Sequence, residues 1–240
     1  ITPKKRQLFN IGGSSKWDNK KLTYEISSSN KDINTFSKLD KKDNIGFAGT
    51  TNFKINNNLN EKWSINQEYN IEIIEKNFNR IERFRAVEFE RNWNIQALNN
   101  SNNQIISSGK NNLSHNQNGQ VSYQLNSFRI QNDFTGYKND LKIKWKKHIH
   151  LNFMGSILNS KGLTNSNFLR HETDLYLPIK KIKIGFKDIH ENNLFYTLDT
   201  INNNSYRFYD WKVYLANIDS TKNRLQFYYQ EIHYLNLHLY

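Results

Sequence analysis

Leu141, Ile143, Trp145, Ile149, Leu151, Phe153 and Ile157 share odd positions, while Lys142, Lys144, Lys146, His148, His150 and Asn152 fall between them. A repeat of two residues is the repeat of a β-strand with one apolar face, not of a helix. The same alternation runs through Ile45, Phe47, Phe53 and Ile55, through Trp63, Ile65, Tyr69, Ile71 and Ile73, and through Val87, Phe89, Trp93 and Ile95. It returns in Tyr209, Trp211, Val213 and Leu215, and from Leu225, Phe227 and Tyr229 to Leu235, Leu237 and Leu239. A chain patterned this way almost end to end has to be all-β.

Short polar connectors separate these runs, at 56–61, 99–103, 133–140, 159–167, 200–205 and 217–223. Connections of that length join antiparallel neighbours, because a parallel pair needs a crossover of a dozen or more residues. Runs such as Asn56-Asn57-Asn58 and Asn202-Asn203-Asn204 suit turns, since Asn tolerates positive φ and bonds its local backbone. The expectation is one domain over 1–240, an antiparallel meander of about twelve long strands. Leu141 to Ile157 reads as a single strand. The apolar phase changes near Pro178, which predicts a tight turn or bulge there. The segments 76–80 and 109–119 read as loops.

One apolar face per strand suits a soluble sandwich, whose apolar faces meet, and a membrane barrel, whose apolar face meets lipid. Long strands, a uniform meander and many aromatic residues (13 Tyr, 15 Phe and 5 Trp) favour a transmembrane β-barrel or part of a larger one. Gln67, Arg91, Lys147, Glu231 and His233 interrupt the apolar phase, so only part of each strand is expected to cross lipid. In the 141–157 run the crossing part would be 148–157, with Ile149, Leu151 and Phe153 toward lipid.

The aromatic, Asn- and Lys-rich strands, above all Arg83-Phe84-Arg85-Ala86-Val87-Glu88-Phe89-Glu90-Arg91-Asn92-Trp93-Asn94, resemble outer-membrane barrel strands of Bacteroidota. The resemblance implies an outer-membrane location with lipid bilayer, lipopolysaccharide and other envelope proteins as partners. It implies no activity and no functional residue.

The net charge of +12 suits an anionic partner. Its sharpest local expression is Lys142, Lys144 and Lys146, stacked ~7 Å apart on one strand face. With His148 and His150 they are the candidate pore-lining or anion-facing residues; the bland alternative is a solvated face. His148 and His150 could share a metal only with partners such as His171, His190 or His233, and ordinary polar-face roles are favoured, so no metal site is expected. Glu88 and Glu90 read as salt-bridging residues in preference to an acid/base or calcium pair.

Cysteine is absent, which excludes disulfides and thiolate sites. No nucleophile elbow, phosphate-binding loop, zinc-protease pair or dinucleotide fingerprint occurs, so no catalytic residue and no cofactor are expected. The functional expectation is an outer-membrane channel, transporter or structural component of an envelope complex. The alternatives are a soluble basic sheet binding polyanions or glycans, with nucleic acid disfavoured, and a barrel-embedded hydrolase. The chain starts at Ile1, which suggests processing or excerpting, and Tyr240 lies out of phase with Leu235, Leu237 and Leu239, which predicts that it is not a natural barrel terminus.

Overall fold

The computed structural model describes residues 3–36, 41–81, 85–95, 102–198, 200–218 and 225–237. They form an all-β protein with one antiparallel meander sheet of thirteen strands. The strands are β1 (Lys5–Trp17), β2 (Lys20–Asp32), β3 (Ile45–Asn58), β4 (Trp63–Ile74), β5 (Gln104–His115), β6 (Gly119–Ile130) and β7 (Phe134–Lys146). They continue with β8 (His150–Lys161), β9 (Asn165–Ile179), β10 (Ile182–Thr197), β11 (Thr200–Ile201), β12 (Tyr206–Asn217) and β13 (Gln226–Asn236). Twelve of them follow one another along the sheet in chain order, and the two-residue β11 pairs with β10 beside that path. The path has two ends, β1 and β13; closure into a barrel is not part of it.

The expected meander is therefore observed, with four local corrections. Leu141 to Ile157 is not one strand: β7 ends at Lys146, Lys147 to Ile149 turn, and β8 begins at His150. Ile149 resumes the odd phase of Trp145, and the polar Lys147 between them was the one sign of the turn. The partition of that run into an extension and a crossing half falls with it. Residues 109–115 belong to β5 and only 116–118 form the turn, where His115 Nδ1 accepts the backbone N–H groups of Gln117 and Asn118, both at 3.1 Å. The connector placed at 133–140 is mostly strand β7, with the turn at 131–133.

The fourth correction concerns 85–95, expected as a strand. It holds a one-turn helix, α1 (Phe89–Asn92), and no strand. Phe89 and Trp93 are four apart, the spacing that puts two rings on one side of a helical turn. Phe89 meets the fully buried Phe128 ring at 5.2 Å and Trp93 meets it at 5.4 Å, both edge-on, and Phe134 adds a ring at 5.5 Å. Glu88 binds Arg91 at 3.0 Å, three residues along the turn, an ion pair within the helical turn where one to a neighbouring strand was expected.

Near Pro178 the predicted tight turn is present two residues later. β9 ends at Ile179, β10 starts at Ile182, and Lys180 adopts φ 55° between them. The register then pairs His171 with His190, Thr173 with Asp188, and Leu175 with Phe186.

The chain divides into two compact units, each described separately. The first comprises 1–56, 67–109 and 126–136, and the second 57–66, 110–125 and 137–240. In the first, Trp93, Phe128 and Phe134 are buried with Ile74 and Ile130, and the half-buried Phe89 packs on that cluster. In the second, Leu158 and Tyr214 are buried, while the apolar side chains of β9, β10 and β12 are not.

Candidate functional site

In the first unit, 75–81 leaves β4 and folds back as a strap over one face of β1 to β3. Glu75 N–H donates to the Phe47 carbonyl at 2.9 Å, and Phe47 N–H donates to the Glu75 carboxylate at 3.0 Å. Asn79 N–H donates to the hydroxyl of Ser29, a side chain that is 1% exposed, at 2.8 Å. Arg6 donates to the Asn79 side chain. Gly46 makes the approach feasible: a Cβ at this position would stand 2.1 Å from the Phe78 nitrogen.

Between the strap and the sheet lies an open-sided cavity of about 470 Å³, inside the ~300–1,000 Å³ range of small-molecule sites. Register explains its wall, because Asn10, Ser27 and Ala48 are directly paired, as are Glu25 and Thr50, and so they share a face. Leu8, Ala48 and Ile74 from the sheet and Phe78 and Ile81 from the strap form the apolar part. The charged part is Glu25, Glu72 and Arg80. Ser27 Oγ donates to Glu25 at 3.4 Å.

Glu72 is engaged by Arg85 at 3.0 Å, and the Arg85 side chain is 6% exposed. That guanidinium lies 4.4 Å over the Phe89 ring and 5.2 Å from the Phe128 ring, so its charge is held by a carboxylate on one side and π-faces on the other. Burial pushes the Arg80 guanidinium below its ordinary pKa and the neighbouring Arg85 cation adds to this, while Glu72 acts in the opposite sense. Two guanidinium groups thus stand near one carboxylate at this end of the cavity.

The sequence-predicted candidates lie in the second unit. Lys142, Lys144 and Lys146 are exposed and share one face of β7, as expected, with Ile143 and Trp145 on the other. His148 lies in the turn after β7, not on a strand. His150 opens β8 and stacks on Tyr176 at 4.5 Å. His150 pairs with Tyr176 whereas His171 pairs with Gly155, an odd number of positions away, so His150 and His171 are on opposite faces. They cannot share a metal, and among the described residues no cluster of three or more metal-ligating side chains exists.

On its polar face, the second unit carries three groups of polar contacts. Tyr214 donates to Asp174 at 2.7 Å, Lys187 meets Asp174 at 3.3 Å, and Gln230 donates to Asp210 at 2.9 Å. Arg170 lies 3.6 Å from Glu191, which also accepts from Tyr206. Gly185 is required beneath Tyr214, because a Cβ there would stand 2.2 Å from the ring. A recess of about 190 Å³ opens among Glu172, Lys187, Asp210, Lys212 and Gln230.

The opposite, apolar face is polar across one belt. His171 lies 3.1 Å from Asp188, a residue that is 8% exposed, and His190 stands edge-on between the rings of His171 and Tyr209 at 5.4 and 5.6 Å. In β13, His233 meets Glu231 at 2.9 Å. Register aligns His171, His190, Tyr209 and His233 in one row and Phe153, Thr173, Asp188, Trp211 and Glu231 in the next. The interruption at Glu231 and His233 is thus one end of a belt that crosses strands.

Sequence reasoning did not find the cavity. Glu25, Glu72 and Arg80 stand on two strands and a strap, without local spacing to connect them. The one usable signal was the irregular 76–80 stretch between two well-patterned strands. Comparison with protein-family models, curated proteins and solved structures returns no match to this chain.

Proposed function

We propose that the chain is a strand-built membrane protein of outer-membrane type, in which the apolar face meets lipid and the polar face lines an aqueous interior. The observation that carries this is the inversion of exposure on β9, β10 and β12. Leu175, Leu177, Ile179, Ile182, Ile184, Phe186, Val213 and Leu215 are each 38–47% exposed, while Tyr214 on the polar face is 4% exposed. A soluble one-sided sheet covers its apolar face; eight uncovered side chains in register on three adjacent strands are what lipid solvates at no cost.

Two further features fit. Trp17 ends β1, Trp63 begins β4 and Trp145 is the last but one residue of β7, so each stands at the turn end of its strand, where an interfacial aromatic residue belongs. Twelve strands along the path is an even number, as in single-chain outer-membrane barrels. Residence in lipid further requires that the edges of β1 and β13 be paired, because unpaired backbone groups are not tolerated there. From Ile179 to Thr173 the apolar part of β9 covers about 20 Å at ~3.3 Å per residue, against the ~25 Å band of such barrels. Phe153, Tyr209 and Trp211 border it, and the His171–Asp188 belt then falls at the level where the strands re-enter water.

Function follows from the polar face: a conduit or envelope component whose lysine stripe biases the interior toward anions. The direct test places spin labels at 182, 183, 184, 186 and 187 after reconstitution into lipid. Labels at 182, 184 and 186 are expected to be quenched by oxygen from the bilayer, and those at 183 and 187 by an aqueous reagent. Uniform aqueous accessibility would refute membrane residence.

A further inference from the structure

We propose that the polar belt on the apolar face of the second unit binds the phosphate of an anionic lipid, held by Arg207 with His190 beside it. The inference rests on the membrane reading and gives the lipid-facing side a site of its own.

Register builds the group. His171, His190, Tyr209 and His233 form one row, and Leu169, Asn192, Arg207 and Leu235 form the next, two residues further along each strand and on the same face. Arg207 is directly paired with Asn192 and therefore diagonal to His190, a separation of ~7–8 Å that lets one phosphate touch both side chains.

Charge selects the ligand. His171 lies 3.1 Å from Asp188 and His233 lies 2.9 Å from Glu231, so each has an acid beside it. Arg207 is exposed and has no carboxylate or hydrogen-bond partner among the described residues. Its neighbours across the strands are the neutral Asn192 and Leu235. Burial first, and then the charges of His171 and Arg207, hold His190 below its ordinary pKa, while Asp188 acts in the opposite sense. An anion between Arg207 and His190 replaces that repulsion with two attractions, and a pair of phosphate oxygens matches the guanidinium fork.

Position selects the source of the phosphate. From Ile179 to His171 the strand β9 covers about 26 Å at ~3.3 Å per residue, against the ~25 Å apolar band, which puts this row at headgroup depth. Below it on the same face, Phe186, Val213 and Leu215 are 38–45% exposed. An acyl chain covers them, and a free anion gains nothing from them. The ligand that answers both parts is an amphiphile with a phosphate at its head.

Native mass spectrometry of the full chain in a neutral detergent is the test, with phosphatidylglycerol, phosphatidylcholine and inorganic phosphate as the probes, beside flotation on phosphatidylcholine vesicles. Phosphatidylglycerol is expected to be retained in preference to phosphatidylcholine, whose own cation answers its phosphate. Arg207→Gln should weaken phosphatidylglycerol roughly fivefold, the loss of one basic residue at a lipid surface, and Arg207→Lys should keep part of the affinity. His190→Gln should weaken it by less. Lys212→Gln, the same charge change on the opposite face of β12, should leave it unchanged. Equal retention of the two lipids, unchanged binding in Arg207→Gln, an equal loss in Lys212→Gln, or displacement of the lipid by equimolar inorganic phosphate would each overturn the proposal. Flotation separates the two readings: a chain that floats without this preference loses the site and keeps membrane residence, and a chain that does not float loses both.

Discussion

The backbone of Phe78 rests on Gly46, so close that a Cβ on Gly46 would stand 2.1 Å from the Phe78 nitrogen. The clash would be with backbone, which cannot rotate away. Gly46→Ala is expected to lift the strap and cost about 1–3 kcal/mol, the range for overpacking a tight contact. Denaturant unfolding checks the stability, and hydrogen exchange checks the site, because protection at the Asn79 amide should fall while that of β9 and β10 stays the same.

Arg85 is held by Glu72 and by two aromatic faces, with a side chain that is 6% exposed. Arg85→Ala takes this cation from Glu72, whose side chain is 30% exposed, and removes the stem from the rings, and about 1–3 kcal/mol of destabilisation is expected. The double variant Arg85→Met with Glu72→Gln removes both charges and keeps apolar volume over Phe89. It should recover most of that loss, and a double-mutant cycle on unfolding midpoints reads the coupling.

Tyr214 donates to Asp174 at 2.7 Å and covers Gly185, while the Tyr228 ring beside it is 62% exposed. Tyr214→Phe keeps the cover and loses the hydrogen bond, so about 1–3 kcal/mol should be lost, the cost of a hydrogen bond to a charged partner. Tyr228→Phe should be close to neutral. Paired thermal or urea unfolding of the two variants makes the comparison.

If the polar face lines a conduit, Lys142, Lys144 and Lys146 set its sign. Replacing all three with Gln is expected to reduce anion preference in reconstituted conductance, and the difference from the parent should shrink as salt rises, because a Debye length of ~10 Å at 0.1 M shortens to ~3 Å at 1 M. An unchanged reversal potential in a salt gradient would remove the stripe from that role.

Much of this protein was determined by its sequence alone. Period-two alternation placed β3, β4, β12 and β13, the short polar connectors made them antiparallel, and the resulting meander has the order the chain implies, because a strand with one apolar face can satisfy its backbone only beside a neighbour of matching phase. The same periodicity was blind where two conformations share it. Ile149 keeps the phase of Trp145 across the hairpin despite the polar Lys147, so one long strand with an interruption and two short ones look alike. Phe89 and Trp93 satisfy both an odd-position stripe and the four-residue spacing of a helical turn, and the buried ring of Phe128 decided between them. Tyr240 lies outside the described residues. The cavity could be decided only by tertiary structure: Glu25, Glu72 and Arg80 meet because a glycine in β3 lets a strap fold back onto paired strands, and no local pattern encodes a contact made over such separations.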